Sequence, residues 1–259
     1  MVFKNDPTAV LELSSIKKQY GGVKALNDIS ISFPKGTITA IVGDNGAGKS
    51  TTLKIISGAE FPDSGQIFVN GVRVKFRFPE DARQAGIETV YQDLALADNL
   101  TATENLFMGR EEKWGVGGLA ILRQKKMQKM AMEIFKSFSI NIPSVRVPVA
   151  GMSGGQRQGV AIARAVNWGS DLVLLDEPTA ALGVTETSKV EDVIKGLRDR
   201  GLTQIIVSHN LDQVFRLSDR IAVMRRGELV SILKTKDTNP ELVIGYITGV
   251  LSKEKYPHA

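Results

Sequence analysis

An eight-residue stretch, Gly43–Ser50, has the residue types and spacing of a phosphate-binding loop. Its sequence, GDNGAGKS, fits the pattern G-x-x-x-x-G-K-[ST] at every fixed position. Glycines permit the left-handed torsions that turn successive N–H groups inward around an anion. Lys49 can reach the β- and γ-phosphates of a nucleotide, and the Ser50 hydroxyl can hold Mg²⁺. A glycine-rich turn with an exposed lysine is the alternative, disfavoured because a predicted strand precedes the loop and a predicted helix follows it.

Two adjacent carboxylates follow a second apolar run. Leu172–Leu175 predicts a buried strand, and Asp176 and Glu177 come directly after it. Ligands of open α/β sheets lie at the carboxyl ends of the strands, so we expect both acids beside the phosphate loop. Asp176 is then placed for Mg²⁺, and Glu177 for orienting a water that attacks the γ-phosphate. Simple solvation of both acids at a strand end is the alternative.

A second glycine pair occurs in Ser153–Gln156, at the start of the predicted helix Arg157–Asn167. A serine and the bare N–H groups of a helix N-terminus can bind an anion. No predicted strand precedes the pair, so it is not a second phosphate loop. Taken alone, it is explained equally well as a helix N-cap with a flexible lead-in.

Strands and helices alternate around these motifs, which favours a parallel α/β core. The predicted strands are Ala9–Ile16, Ala25–Phe33, Thr37–Val42, Gln66–Val69, Val72–Val74, Ile87–Tyr91, Leu172–Leu175, Gln204–Val207, Ile221–Met224 and Glu228–Leu233. The predicted helices outside the middle of the chain are Thr51–Ser57, Pro79–Ala85, Thr185–Arg200, Leu211–Leu217 and Glu241–Thr248.

The middle of the chain, from about 93 to 168, is predicted to be mostly helix. One apolar stripe repeats at three and four residues, as a buried helical face does. Its members are Met127, Met130, Ala131, Ile134, Phe135 and Phe138. We interpret the stripe as core packing. Trp114–Gly118 is expected to be a mobile loop without an assigned function.

The composition limits the class of protein. The chain has 259 residues, of which 42% are hydrophobic and 24% charged, a net charge of +5 and no cysteine. The length suits one sizeable domain, and the lack of cysteine excludes disulfides and thiolate metal sites. Lys and Arg are spread along the chain, which favours a solvated surface over a nucleic-acid groove. No apolar run approaches the roughly 20 residues that span a bilayer, and the start lacks a signal-peptide pattern. We therefore expect a soluble, cytoplasmic protein.

The order of the motifs resembles that of the ATP-binding cassette (ABC) ATPases. After Gly43–Ser50 come Gln92, then Met152–Gln156 in place of the usual LSGGQ signature, then Leu172–Glu177 and Ser208-His209, which together cover about 20–233. The resemblance implies an α/β fold, a P-loop NTPase RecA-like core with an N-terminal antiparallel β subdomain and an inserted α-helical subdomain. The expected limits are 1–92 with 168–259 for the core and β subdomain, and 93–167 for the helical part.

The same resemblance implies roles for single residues. Tyr20 would stack on adenine, Gln92 would contact Mg²⁺ and the water, and His209 would contact the γ-phosphate as a catalytic residue beside Glu177. The other histidine, His258, lies in the C-terminal tail. The residues implied to bind ATP are Tyr20, Gly43, Asn45, Gly46, Gly48, Lys49, Ser50, Thr51, Ser153, Gly155 and Gln156. Those implied to hold Mg²⁺ are Ser50, Gln92 and Asp176.

The resemblance also implies an assembly. Cassettes of this kind form head-to-tail dimers, in which Ser153, Gly155 and Gln156 of one subunit close over ATP held by the Gly43–Ser50 loop of the other. This chain carries one complete set, so two copies are expected.

Several features indicate which cassette this is. The chain has a single cassette, no cysteine and no long heptad insert, which argues against the branches of the family that act on nucleic acid. Action on nucleic acid is kept as the alternative function, together with import of a different solute. The stretches 90–100 and 104–111 resemble the monosaccharide importer ATPases of the ribose, xylose and fructose type. Gly183, where the wider family usually has Asp, fits the fructose-type members and leaves communication between the two ATP sites in question.

The expected partners are a second copy, membrane permease subunits and, indirectly, a periplasmic or extracellular sugar-binding protein, with no nucleic acid. The expected location is cytoplasmic, peripheral on the inner face of the cell membrane.

Overall fold

The computed structural model describes residues 8–115 and 121–251. The strands are β1 (Ala9–Tyr20), β2 (Val23–Pro34), β3 (Ile38–Val42), β4 (Ser64–Val69), β5 (Val72–Val74), β6 (Ile87–Val90), β7 (Lys113–Trp114), β8 (Ile121–Leu122), β9 (Leu172–Asp176), β10 (Thr203–Val207), β11 (Arg220–Arg225) and β12 (Glu228–Lys234). The helices are α1 (Lys49–Ile56), α2 (Pro79–Gln84), α3 (Ala102–Phe107), α4 (Gln124–Ser137), α5 (Gly154–Val166), α6 (Val184–Asp199), α7 (Leu211–Leu217) and α8 (Pro240–Thr248).

The chain divides into two compact units. The first contains Met1–Thr89, Ser170–Glu177 and Arg198–Ala259, and the second contains Val90–Gly169 and Pro178–Leu197. The predicted subdomain limits, with the helical part at 93–167, stay a prediction. Over the described ranges, no helix is both long and apolar enough to cross a membrane.

The first unit is built on a six-stranded sheet in the order β12-β11-β3-β10-β9-β6. Strand β3 pairs in parallel with β10 and β11, and β10 pairs in parallel with β9. Strand β12 pairs antiparallel with β11, which confirms the predicted hairpin. Alternate residues of β3 face opposite sides, with Ile41 in one apolar cluster and Ala40 and Val42 in the other. Both faces are therefore covered, as in parallel sheets generally.

A second sheet in the same unit has four antiparallel strands in the order β2-β1-β4-β5. Its inner residues, such as Leu11, Leu13 and Phe33, share one apolar cluster with Ile41 and Leu174 of the larger sheet. The α/β fold class with an N-terminal antiparallel β subdomain is confirmed.

The second unit contains the helices α3, α4, α5 and most of α6. The buried side chains of α4 include Met127, Ala131 and Phe135, which confirms the core-packing interpretation of the stripe. The expectation that 93–168 is mostly helix is wrong in part, because no regular helix covers 91–101 or 138–148.

The side chain of Asn105 explains why the segment before α3 is not helical. Its Oδ1 accepts a hydrogen bond from the Ala97 N–H at 2.8 Å. Its amide donates to the carbonyl oxygens of Ala97, Leu100 and Thr101 at 3.0, 3.2 and 3.1 Å. Asn105 is fully buried, and its side chain supplies hydrogen-bond partners to backbone groups that would be paired with each other in a helix.

The expectation of a loop at Trp114–Gly118 is also corrected in part. Lys113–Trp114 pairs antiparallel with Ile121–Leu122, so Trp114 belongs to a small hairpin. Residues 116–120 lie outside the described part of the chain, as does the tail that contains His258.

Candidate functional site

The phosphate loop Gly43–Ser50 connects β3 to α1. Gly43 has φ +152°, and a Cβ there would lie 2.2 Å from the carbonyl oxygen of Met224, so no other residue fits without backbone movement. Gly48 caps α1 with φ 103°, which leaves the N-terminal N–H groups of the helix without a side chain over them. These groups can surround an anion. Asn45, Gly46 and Ser50 are exposed on the same loop.

The Lys49 side chain folds back over this loop. Its ammonium donates hydrogen bonds to the carbonyl oxygens of Gly43 at 2.7 Å and Asp44 at 2.9 Å. The charge therefore lies above the loop, where a bound phosphate would meet it.

Strand register brings the other candidate residues to the same sheet edge. Ile41 of β3 lies opposite Val207 of β10, and Val207 lies opposite Asp176 of β9. His209 follows Val207 by two residues, as Gly43 follows Ile41. The loop, the acids and the histidine consequently share the carboxyl edge of the sheet, as the sequence predicts for the acids.

Glu177 and His209 contact each other at this edge. His209 Nδ1 lies 2.7 Å from Glu177 Oε1 and 2.6 Å from Oε2. The Glu177 backbone has φ +51°, uncommon for a residue with a side chain, and its N–H donates to the Val207 carbonyl at 2.9 Å. The side chain of His209 is 74% exposed and that of Glu177 is 17% exposed. The pair is therefore open to solvent on the histidine side.

Burial and a neighbouring negative charge disfavour the ionised form of Asp176. Burial raises the pKa of Asp176, the neighbouring Glu177 charge raises it further, and Lys49 and Lys54 oppose the rise. Burial likewise lowers the pKa of Lys49, against the attraction of Glu177, Asp44 and Asp176. A divalent cation beside Asp176 and the exposed Ser50 hydroxyl would offset the two neighbouring negative charges. The residues present therefore fit Mg²⁺ held by a carboxylate, a hydroxyl and phosphate oxygens.

Tyr20, at the end of β1, is held in place by neighbouring side chains. Its hydroxyl donates to Glu60 Oε2 at 3.1 Å. The Lys18 ammonium lies 5.2 Å from the ring centroid and 2.9 Å from Glu60 Oε1. Burial raises the pKa of Tyr20, the bond to Glu60 raises it further, and the hydroxyl of Thr51, in the first turn of α1, opposes the rise. Tyr20 is 44% exposed, so part of its side chain is open to solvent and can stack on a base.

The second glycine pair opens α5 in the other unit. Ser153 is the N-cap: its hydroxyl accepts from the Gln156 N–H at 3.4 Å, and its own N–H donates to Gln156 Oε1 at 3.0 Å. This reciprocal capping box confirms the predicted N-cap. Gln92 belongs to this unit too, is exposed and lies two residues after the end of β6. The roles of these residues toward a nucleotide stay predictions.

A comparison with family models identifies the chain at this point. The model of the ABC transporter family matches residues 26–180, which include both the phosphate loop and the β9 acids. The chain belongs to the ABC transporter family. ATP binding and hydrolysis are the activity of the ABC cassette.

Curated ABC relatives match almost the entire chain. A xylose/arabinose import ATP-binding protein of Sulfolobus acidocaldarius is 43% identical over 240 residues, 93% of this chain and 94% of the relative. A fructose import ATP-binding protein of Rhizobium meliloti is 43% identical over 244 residues, 93% of this chain and 94% of the relative. A galactofuranose transporter ATP-binding protein of Escherichia coli strain K12 is 38% identical over 96% of this chain but only 48% of that protein.

Solved ABC cassettes share the fold. One cassette of an ABC transporter superimposes with a TM-score of 0.81 at 25% identity, over 93% of this chain and 98% of that one. A dimeric cassette in a post-hydrolysis state, bound to ADP and Pi, gives a TM-score of 0.72 at 26% identity, over 87% of this chain and 98% of that one.

Three residues that touch the ABC motifs were not predicted from the sequence. Lys18 and Glu60 hold Tyr20, and no local pattern links Glu60 to a tyrosine 40 positions away. Glu186 contacts the start of α5. Glu186 is the third residue of α6, where an acid often caps a helix, so the sequence pattern could have predicted a capping role for it.

Proposed function

We propose that this chain is the ATP-hydrolysing subunit of a bacterial ABC importer for a monosaccharide. The observation that carries the proposal is the 43% identity, over nearly the full length of both partners, to two ATP-binding proteins named for xylose/arabinose and fructose import. The relative named for galactofuranose transport is likewise named for a monosaccharide. Nothing in an ATPase touches the sugar itself, so the class and not the individual sugar is proposed.

The phosphate loop is proposed to bind the triphosphate of ATP. Backbone N–H groups of Gly43, Asn45, Gly46 and Gly48 surround the phosphates at the N-terminus of α1. Lys49 releases its own loop carbonyls and pairs with the β- and γ-phosphate oxygens. The exposed Tyr20 ring receives the adenine, and Thr51 completes the contact at the first turn of the helix.

A magnesium ion, when bound with ATP, would neutralise negative charge on the phosphates. Ser50 and Asp176 are the ligands that the loop and β9 offer, and Gln92 is proposed as a third. The raised pKa of Asp176 supports this assignment, because burial and the Glu177 charge outweigh the opposing charges of Lys49 and Lys54 in the free protein.

Glu177 and His209 are assigned to the hydrolytic step. Water attacks the γ-phosphorus and the bond to the ADP oxygen breaks, which gives ADP and inorganic phosphate. The Glu177 carboxylate accepts a hydrogen bond from the attacking water, orients it and takes up its proton. His209 can hold the Glu177 carboxylate through Nδ1 and point its other ring nitrogen at the γ-phosphate. The arrangement resembles a base steadied by a second side chain.

A head-to-tail dimer completes each site. Ser153, Gly155 and Gln156 of one copy close over the ATP that the other copy holds, so that ATP links two subunits and its hydrolysis separates them. A solved dimeric cassette bound to ADP and Pi supports this assembly. The dimer would act on permease subunits at the inner face of the cell membrane, and indirectly on a periplasmic or extracellular sugar-binding protein.

ATP turnover tests this proposal against the nucleic-acid alternative. The chain is co-expressed with permease subunits of a monosaccharide importer, reconstituted in vesicles, and assayed with a panel of monosaccharides and the matching binding protein. We expect sugar and binding protein to raise the ATP hydrolysis rate, and DNA or RNA to leave the rate of the isolated chain unchanged. Stimulation by nucleic acid without stimulation by the transporter components would overturn the proposal.

A further inference from the structure

The N-terminus of α5 is occupied by a carboxylate from the same chain. Glu186, in the first turn of α6, lies against this terminus, and hydrogen bonding from the Ser153 hydroxyl and then from the Gly155 N–H lowers the pKa of its carboxyl. An ideal Cβ on Gly155 would lie 3.0 Å from Glu186 Cβ, and one on Gly154 would lie 3.7 Å from Glu186 Oε2. The two glycines therefore make room for this side chain, which lies against the bare backbone.

The donors involved are those assigned to the γ-phosphate of the partner subunit's ATP. Ser153 has one hydroxyl proton and Gly155 has one N–H, so each donates one full hydrogen bond at a time. Ser153 Oγ already accepts from the Gln156 N–H, and its own proton is still available to one anionic oxygen. A phosphate and a carboxylate cannot both take these donors, and their negative charges repel each other.

We propose that Glu186 is a positioning residue, which holds the Ser153 and Gly155 donors in the free subunit. It competes for these donors with the γ-phosphate of the ATP that the partner subunit holds, and this competition sets the ATP concentration needed for dimer closure. The inference rests on the proposed head-to-tail dimer. The carboxylate acts as a stand-in anion: it keeps the donors ordered, and the phosphate must displace it.

Gly183 makes the displacement feasible at low cost. The Glu186 carboxylate also accepts from the Gly183 N–H, the position just before α6. Glycine has no side chain with which to cap the helix, so Glu186 supplies the cap from the third helical position. A carboxylate has two oxygens, and one can stay on Gly183 while the other leaves Ser153. Closure then costs the contact with α5 without unfolding the first turn of α6.

The test uses Glu177→Gln as the background, because a subunit with slow hydrolysis accumulates in its ATP-bound form. Glu186→Gln is added to it, and the ATP concentration that gives half-maximal dimer is measured by size exclusion with light scattering. We expect that concentration to fall by roughly two- to fivefold, the range for an exposed ionic contact. ATP affinity of the monomer, measured at protein concentrations below dimerisation, should stay unchanged, since its phosphate loop lies in the other unit.

Asp192→Asn is the matched control, because Asp192 is an exposed acid on the same helix outside these contacts. It should leave the half-maximal ATP concentration unchanged. An equal shift in both variants, no shift with Glu186→Gln, or a weaker dimer would overturn the role of Glu186. If the Glu177→Gln background itself forms no dimer with ATP, the proposed dimer fails rather than the competition.

Discussion

His209 Nδ1 lies 2.7 Å from Glu177 Oε1, although 32 positions separate the two residues in the chain. Parallel pairing of β9 with β10 places both just beyond the carboxyl edge of the sheet. Both carboxylate oxygens lie close to the same ring nitrogen, so the contact gives the carboxylate a fixed direction before substrate arrives.

Glu177→Gln should stop hydrolysis without preventing ATP binding. The amide keeps the shape of the side chain but loses the base, and general-base contributions are about 100-fold or more. We expect ATP turnover to fall by that factor and an ATP-bound dimer to accumulate on size exclusion. Glu241→Gln, an exposed acid in α8, should retain wild-type turnover. Turnover near the wild-type rate in Glu177→Gln would exclude Glu177 as the residue that orients water.

Replacement of Tyr20 should weaken binding of the nucleoside part of ATP. Tyr20→Ala removes the exposed ring, and aromatic stacking on a base contributes about 1–3 kcal/mol, so the Kd for ATP should rise roughly tenfold. Tyr20→Phe keeps the ring but loses the bond to Glu60, and should have a much smaller effect. Inorganic triphosphate separates the two contributions, because its Kd should be the same in all three proteins. An equal loss for ATP and triphosphate would assign Tyr20 to loop packing instead.

Asp176→Asn should stabilise the nucleotide-free protein while impairing Mg²⁺-dependent hydrolysis. The pKa of Asp176 is raised by burial and by Glu177, so the folded state disfavours the charged form. The destabilisation is present above the raised pKa and disappears as pH falls toward the ordinary value. At neutral pH the variant should therefore be more stable than the wild type, because the neutral amide carries no charge that burial penalises.

Chemical denaturation of the free Asp176→Asn protein at pH 7.5 and at pH 4.5 measures this difference. The gain over wild type should be larger at the higher pH. A gain that grows as the pH falls would contradict the assigned cause. Asp171→Asn is unsuitable as a control because Asp171 accepts a hydrogen bond from Asn70, whereas Asp192→Asn should show no pH-dependent gain.

Gly183→Asp should alter cooperativity between the two ATP sites and leave ATP affinity unaffected. A Cβ at Gly183 meets nothing within 4 Å, so the substitution fits without strain. Asp in front of α6 can also cap the helix, which should keep the fold at least as stable. Gly183→Ala adds the Cβ without the carboxylate and is the matched control. A Hill coefficient of hydrolysis that is unchanged in Gly183→Asp would count against the hypothesis.

The sequence by itself determined the local features of this protein. The loop Gly43–Ser50, the acids after Leu172–Leu175 and the Ser153 cap are all correctly predicted as local structure, because each depends on residues within one strand, turn or helix end. The α/β class follows for the same reason, since periodicity of apolar residues records which elements have buried faces.

Only the tertiary structure decided which of these features meet. The partner of Glu177 depends on strand order, the partner of Tyr20 on a turn 40 positions away, and the partner of Ser153 on how α6 packs against α5. The non-helical segment before α3 likewise depends on one buried amide, Asn105, whose hydrogen bonds replace those of a helix. Such contacts join residues distant in the chain, so no local pattern encodes them, and packing of the core alone selects them.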